Sequence, residues 1–251
     1  MEQTFMKEKK ILPLVLSMSL PMMLSMLVNS LYNIVDSYFV AQISEQAMTA
    51  LSLVYPLQLL ETAIAVGFGV GMNAAAAYYL GAKEQQRADD IVTSGLILSL
   101  LHGVILMAAA LLFAPAFVSL FTENEKILAD GVKYSNLVFI FAVPNVIAIT
   151  FEKIFQAEGR MKVSMLSMLC GCVANIILDP LLIFGIGIFP KMGIEGAAIA
   201  TGIGQVIPLI VYLFIFIKHP VSLHFHWHKK VFQKRLMGQM YGVGIPATLN
   251  L

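Results

Sequence analysis

Long apolar runs separated by short polar segments dominate this chain. Six runs are long enough for a membrane-spanning helix, at 11–41, 47–80, 90–114, 130–151, 163–186 and 194–217, and a seventh begins near 237. A helix needs about 20 apolar residues to cross the hydrocarbon core of a bilayer. The pattern therefore predicts an all-α polytopic membrane protein, with a six-transmembrane-helix lobe followed by the start of a seventh helix.

The first two runs are longer than one crossing requires, so tilt, protrusion or a bend must accommodate the excess. Pro21 and Pro56 are the expected bend points, because a proline removes a backbone hydrogen bond from a helix. The first run is also too long for a secretory signal peptide, and no small-residue cleavage site follows it.

Composition and charge agree with a membrane location. The chain is 59% hydrophobic and 12% charged, with a mean hydropathy of +0.82, whereas soluble domains carry roughly 25% charged residues. A net charge of +1 gives no basic surface for nucleic acid. Cys170 and Cys172 are two residues apart in an apolar run, where helical side chains do not face each other, so we expect packing residues and no disulfide.

The basic residues predict the orientation of the spans. If the N-terminus is cytoplasmic, all but three of the 16 basic residues fall on the cytoplasmic side, and the exceptions are Lys126, Lys133 and Lys191. The positive-inside rule favours this topology. We therefore expect a multi-pass protein of the cytoplasmic (plasma) membrane with a cytoplasmic N-terminus.

Two aspartates, Asp36 and Asp179, lie within apolar runs. A carboxylate at membrane depth costs about 2.5 kcal/mol or more, so such a residue is a functional-site candidate unless it merely bonds a neighbouring helix in its protonated form. With the N-terminus inside, both acids lie about 8–9 Å from the outer ends of their helices. Their matching depth predicts one shared site.

Hard oxygen donors surround Asp179 in the sequence. Asn175 precedes it by four residues and shares its helix face, and Pro180 frees the carbonyl of Ile176 while favouring a bend. Such donors suit a proton or a small hard cation, and they do not suit zinc or copper. Thr201, in a stripe of small residues, either reaches a neighbouring helix or bonds its own preceding turn.

Two further features leave alternatives open. Glu61 is a third acid within a span, and it is either a second proton or substrate-cavity residue or a partner in a pair near a helix end. His224, His226 and His228 alternate along the chain and could bind a metal. The neighbouring Trp227 and lysines favour an interfacial segment instead.

Four segments resemble the multidrug and toxic compound extrusion (MATE) transporters. They are VDSYFV (35–40), QAEGR (156–160), NIILDPLLIFG (175–185) and GIEGAAIAT (193–201). The resemblance runs over the whole chain. It implies one half of a pseudo-two-fold, twelve-helix antiporter built from two six-helix lobes, which exports amphipathic, often cationic compounds against an inward flow of H+ or Na+.

The same resemblance implies roles for individual residues. It assigns cation coupling to four positions, which are Asp36, Asn175, Asp179 and Thr201. Asn29 and Tyr32 correspond to positions near that site, and with Glu61 they are candidates for an accessory site or a substrate cavity. The resemblance implies no enzymatic activity and no cofactor other than H+ or Na+ as the coupling ion.

The end of the chain echoes its beginning. Residues 244–249 (GIPATL) repeat the pattern of residues 19–24 (SLPMML), as expected at the start of a second, parallel repeat. We therefore expect a fragment with an N-terminal lobe at 1–217, a cytoplasmic interfacial linker at 218–236 and the start of a C-terminal lobe at 237–251. The rest of that second lobe would be the partner of this chain.

Three other functions are weighed against drug export. A flippase for lipid-linked oligosaccharides would need basic residues deep in the lobe to hold a pyrophosphate, and Lys133 is the nearest candidate. A membrane aspartyl hydrolase would use Asp36 and Asp179 as a pair, but neither lies in a Gly-Asp motif. A non-transporting assembly subunit would leave three intramembrane acids unexplained.

Overall fold

The computed structural model describes residues 10–226 and 232–250. All regular structure within those residues is helical, which confirms the predicted all-α class. The helices are α1 (Ile11–Ala41), α2 (Glu45–Gly81), α3 (Gln85–Ser119), α4 (Glu125–Ile140), α5 (Ala142–Ala157), α6 (Met161–Phe184), α7 (Ile194–Lys218) and α8 (Lys234–Leu249). Five of these helices are long and apolar enough to cross a membrane, and α4 with α5 forms a sixth, bent span.

The fourth span is broken where the sequence suggests one apolar run. Helices α4 and α5 meet at an angle of 47°. Pro144 explains the break, because it has no N–H to donate to the carbonyl of Ile140. The backbone N–H of Asn145 donates instead to the carbonyl of Phe141 at 3.0 Å, which starts the next helix. The prediction of a single span over 130–151 is thus corrected to a longer span in two helices.

Local signals define several helix ends. Ser44 caps α2 by accepting a hydrogen bond from the N–H of Ala47 at 3.0 Å, and Asn124 caps α4 in the same way. Gly185 ends α6 in the left-handed conformation, with φ of 74°, which glycine adopts without steric cost. Helix α1 continues through Pro21 and α6 through Pro180, and their role as bend points stays a prediction.

Glycines allow α6 and α7 to pack closely. A Cβ atom added at Gly196 would lie 2.7 Å from the backbone of Leu182, and one at Gly204 would lie 3.0 Å from Cβ of Asn175. Real Cβ contacts are longer than these distances. The stripe of small residues on α7 therefore brings that helix against α6, as the sequence suggests for helix packing in membranes.

The apolar core has two parts that lie towards opposite ends of the lobe. One part, around Met72, Phe155 and Tyr212, is at the end that the predicted topology places in the cytoplasm. The other part, around Val54 and Tyr134, is at the outer end. Polar side chains at intermediate positions along the helices therefore lie between two apolar layers.

The segment after α7 is attached to the ends of α3 and α5. The carboxylate of Glu158 accepts hydrogen bonds from the N–H and hydroxyl of Ser222, and Asp89 accepts one from the N–H of His224 at 2.9 Å. Residues 227–231, which include His228 and Trp227 of the predicted interfacial segment, lie outside the described residues.

Helix α8 packs along α2. A Cβ atom added at Gly244 would lie 3.1 Å from the carbonyl oxygen of Gly67, so the two backbones are close. The hydroxyl of Tyr79 in α2 also hydrogen-bonds Oε1 of Gln239 at 2.8 Å. The start of the predicted second repeat thus lies directly on the six-span lobe.

Candidate functional site

Asp36 on α1 and Asp179 on α6 lie side by side in the interior of the lobe. Asp179 is fully buried and Asp36 is 7% exposed. The two carboxyl groups interact electrostatically across the contact between their helices. Within the described part of the chain, no hydrogen-bond partner besides the neighbouring acid is present for either oxygen of Asp179 or for Oδ1 of Asp36. Both acids face protein and not lipid, as their matching depth predicts.

Asn175 and Thr201 complete this group of buried polar side chains. Both are buried, and Asn175 lies one turn before Asp179 on α6. Tyr134 of α4 interacts with both Asp36 and Thr201, which places the threonine near the acids. Among the described residues, the hydroxyl of Thr201 makes no hydrogen bond to its own helical turn, so that alternative is not observed. We call these four residues, Asp36, Asn175, Asp179 and Thr201, the oxygen cluster.

The oxygen cluster has the chemistry of a site for a hard cation. Among the described residues, both polar atoms of the Asn175 amide are buried without partners, and three carboxyl oxygens have none besides the neighbouring acid. A buried polar atom without a hydrogen bond costs about 1–3 kcal/mol, and a charged one costs more. A proton or Na+ held among these oxygens would remove much of that cost. The cluster is therefore suited to bind and release a small cation.

A cavity lies beside the oxygen cluster, between α1, α5, α6 and α7. Its volume is about 100 Å³, and it is partly open to its surroundings. Asn29 and Tyr32, which the sequence places near the cation site, line this cavity. Asn175 and Thr201 line it as well, whereas Asp36 and Asp179 lie behind its wall. The oxygen cluster and the cavity thus share two residues.

Glu61 is buried on α2 and does not line the cavity. Its Oε1 accepts a hydrogen bond of 3.0 Å from Nδ2 of Asn145, and Asn145 does line the cavity. Glu61 therefore contacts the cavity wall through its partner. Asn145 is not among the site residues predicted from the sequence, although Pro144 beside it marks the break in the fourth span.

The basic residue that lies deepest in the lobe differs from the predicted one. Lys153 is 8% exposed and forms an ion pair of 3.0 Å with Glu152, which lines the cavity. The statement that Lys133 is the basic residue nearest the interior is therefore wrong, and Lys133 is mostly exposed. The physical reason is the break in the fourth span, since α5 continues to Ala157 and keeps residues 152–156 inside the lobe.

The alternating histidines do not form a metal centre in the described part of the chain. No group of three or more His, Cys, Asp or Glu residues with the arrangement of a metal site is found there. His224 and His226 lie 4.0 and 3.8 Å from Oδ2 of Asp89, and His228 is outside the described residues.

A family model described as MatE matches residues 21–181, which is more than half of the chain. The chain belongs to the MatE family. The Multidrug export protein MepA of Staphylococcus aureus (strain MRSA252) is 28% identical over 252 residues, which cover 99% of this chain and 54% of that relative. The protein of the same name from Staphylococcus haemolyticus (strain JCSC1435) is 29% identical over 250 residues, with the same coverage.

Solved structures share the fold of this MatE chain. A crystal structure of MATE in complex with MaD3S matches with a TM-score of 0.87 at 27% identity, over 94% of this chain and 52% of that one. A MOP superfamily transporter from Pyrococcus furiosus matches with a TM-score of 0.86 at the same identity and coverage. The MatE chain spans about half the length of the curated relatives it matches. It is a multi-pass membrane protein with the fold of half a MATE transporter.

Proposed function

We propose that the protein is a secondary active multidrug efflux transporter, which exports amphipathic, often cationic compounds in exchange for H+ or Na+. The observation that carries the proposal is the oxygen cluster, where two buried carboxyl groups lie together on helices that are far apart in the sequence. Apart from each other, three of their oxygens have no hydrogen-bond partner among the described residues. The names of the curated relatives, which are export proteins and not enzymes, support the same class of function.

The shared wall between the oxygen cluster and the cavity gives a route for coupling. Asn175 and Thr201 face both compartments. A cation in the oxygen cluster draws their oxygens towards the acids, so these side chains are less able to contact a substrate in the cavity. Release of the cation leaves the negative charge of two buried acids without a compensating positive charge. This favours a different packing of α1 against α6. Pro21 and Pro180 lie in these two helices and are the bend points that we propose for this change.

Transport requires more than this lobe in our proposal. The chain covers only 54% of the MepA relative, and α8, which we propose as the start of a following repeat, packs on α2. We propose that a C-terminal lobe closes the substrate path on the other side. We also propose a plasma-membrane location with the N-terminus in the cytoplasm, on the basis of the positive-inside rule.

A substrate with positive charge fits the lobe better than a phosphorylated lipid does. Carboxyl groups near the cavity, at Asp36, Asp179 and Glu61, attract a cation in a medium of low dielectric constant. The buried basic residue, Lys153, is already paired with Glu152 and offers no free positive charge to a pyrophosphate. The flippase alternative therefore has less support from the described residues.

The test of this proposal uses everted membrane vesicles that contain the full-length protein. An outward gradient of H+ or of Na+ is imposed in separate experiments, and uptake of a fluorescent lipophilic cation into the lumen is measured. We expect uptake with at least one of the two gradients and none without a gradient. Absence of uptake under both gradients, with the protein present in the membrane, would contradict the proposal.

A further inference from the structure

An ion pair lies at the cavity wall, away from the oxygen cluster. Glu152 of α5 lines the cavity, and its neighbour Lys153 is buried behind it. Nζ of Lys153 lies 3.0 Å from Oε1 of Glu152. Among the residues that line the cavity, Glu152 is the one with a carboxylate, because Asp36, Asp179 and Glu61 are not in contact with that space.

One carboxylate oxygen of Glu152 accepts both hydrogen bonds that are described for this carboxylate. Nζ of Lys153 and Nε2 of Gln156 both donate to Oε1, at 3.0 and 2.6 Å. Lys153 also donates to Oε1 of Gln156 at 3.2 Å, so the three side chains form a closed triangle. In the described part of the chain, no donor is hydrogen-bonded to the second oxygen, Oε2. The carboxylate is thus fixed in orientation and keeps one oxygen able to accept a further bond.

Helix α2 holds Lys153 in this position. A Cβ atom added at Gly69 would lie 2.8 Å from Cγ of Lys153, so the lysine stem crosses α2 where that helix has no side chain. The side-chain amide of Asn73 donates a hydrogen bond of 2.8 Å to the carbonyl of Lys153. The lysine is therefore packed into the protein and does not swing into the cavity.

We propose that Glu152 is a specificity-determining residue, which binds the cationic group of an amphipathic substrate through its second carboxylate oxygen. Lys153 acts as an internal cation that competes with the substrate for the same carboxylate, and Gln156 positions that carboxylate. This inference rests on the proposed export function and explains how a cationic substrate is selected in the cavity. The inference requires substrates with one cationic end and an apolar body, because among the described residues only the carboxylate of Glu152 faces the cavity.

The proposal predicts opposite changes in cation affinity when Glu152 and Lys153 are replaced. Removal of the carboxylate in Glu152→Gln removes the site for the cation. Removal of the competing charge in Lys153→Met leaves the carboxylate without its internal partner, so an external cation binds more tightly. A purely structural ion pair would predict weaker binding for both variants, since either change breaks the same contact.

The experiment measures binding to the purified full-length protein in detergent, by fluorescence. Rhodamine 6G serves as the lipophilic monocation and N-phenyl-1-naphthylamine as a neutral probe. We expect Glu152→Gln to raise the Kd for rhodamine 6G by about tenfold or more, as loss of a charged partner in a site of low dielectric constant predicts. Lys153→Met should lower that Kd, and neither variant should change the Kd for the neutral probe.

Matched controls come from an exposed ion pair on the same side of the lobe. Glu84 and Arg87 pair on the surface at the start of α3. Glu84→Gln and Arg87→Met change the net charge in the same way as the two test variants, and both should bind like the wild type. If a control variant changes the Kd for rhodamine 6G as its test variant does, the effect arises from the net charge of the protein. That result would overturn the inference.

The outcomes separate this inference from the proposed function. If the wild type binds rhodamine 6G and Glu152→Gln binds it equally well, the inference is wrong and the export function is untouched. If both test variants weaken binding of both probes, the ion pair is structural and the inference is again wrong. A wild type that binds and transports neither probe contradicts the proposed function itself.

Discussion

Asn145 on α5 donates a hydrogen bond of 3.0 Å to the buried carboxylate of Glu61 on α2. The bond joins two spans between the apolar layers of the lobe, directly after the break at Phe141. The N–H that restarts the helix belongs to Asn145 itself. The break and the buried acid are therefore parts of one local arrangement, which holds the middle of the lobe together.

Replacement of Asn145 by alanine should destabilise the lobe. The change leaves the carboxylate of Glu61 buried without its partner, which costs about 1–3 kcal/mol or more. Thermal unfolding of the purified protein measures the effect. Asn33→Ala is the control, because the hydrogen bonds described for the side-chain amide of Asn33 are to Asn29 on its own helix. Equal unfolding temperatures for the two variants would contradict a structural role of the Asn145–Glu61 bond.

The two acids of the oxygen cluster should be required for transport but not for folding. We expect Asp36→Asn and Asp179→Asn each to abolish cation-driven efflux by the full-length protein, because an amide cannot exchange a proton or balance a bound cation. Expression and binding of rhodamine 6G should persist, since neither acid lines the cavity. The assay is dye uptake into everted vesicles, with Asp130→Asn as a conservative control near the outer end of α4.

The double variant of these acids sharpens that prediction. Residues that act as one unit give non-additive effects when they are replaced together. Asp36→Asn combined with Asp179→Asn should therefore show the same residual efflux as either single variant. Normal efflux in either single variant would show that the carboxyl groups do not couple transport.

The contact between α6 and α7 should be sensitive to a single methyl group. A Cβ at Gly196 would lie 2.7 Å from the backbone of Leu182, so Gly196→Ala forces the helices apart at a cost of about 1–3 kcal/mol. Gly81→Ala is the matched control, because no atom lies within 4 Å of its added Cβ. The unfolding temperature should fall for Gly196→Ala and not for Gly81→Ala. An unchanged unfolding temperature for Gly196→Ala would contradict the close packing of α6 and α7.

The segment after α7 should lose protection when Glu158 is replaced. The carboxylate of Glu158 accepts bonds from the backbone N–H groups of Ser222 and Leu223, so Glu158→Ala leaves two amides without an acceptor. Hydrogen exchange of the peptide 219–226, followed by mass spectrometry, should be faster in this variant. Glu195→Ala at the opposite end of the lobe is the control. Faster exchange of the peptide 219–226 in this control as well would indicate a general loss of structure.

Features that depend on hydropathy and residue type could be predicted from the sequence. The spans follow from the length of apolar runs, and the structure also places Asp36 and Asp179 together in the interior. Their equal distance from the helix ends was sufficient for that prediction, because the rise per residue of a helix is constant. The small residues of α7 likewise indicated its close packing on α6.

Features that depend on helix direction could not be predicted in the same way. An apolar run looks the same whether the helix is straight or bent, so the break between α4 and α5 was not seen. The burial of Lys153 follows from that break and from the space at Gly69, which is on another helix. Pro144 marks the position of the break in the sequence, but the pairing of Glu152 with Lys153 at the cavity wall depends on the tertiary structure.

The wall shared by the cavity and the oxygen cluster has a thermodynamic consequence. In the proposed mechanism Asn175 and Thr201 take part in both compartments, so occupation of one would change the free energy of binding in the other. Linkage requires this effect to be reciprocal: the factor by which a cation weakens binding in the cavity equals the factor by which a cavity ligand weakens cation binding. Two side chains, and no long pathway through the lobe, are sufficient to make the two equilibria oppose each other.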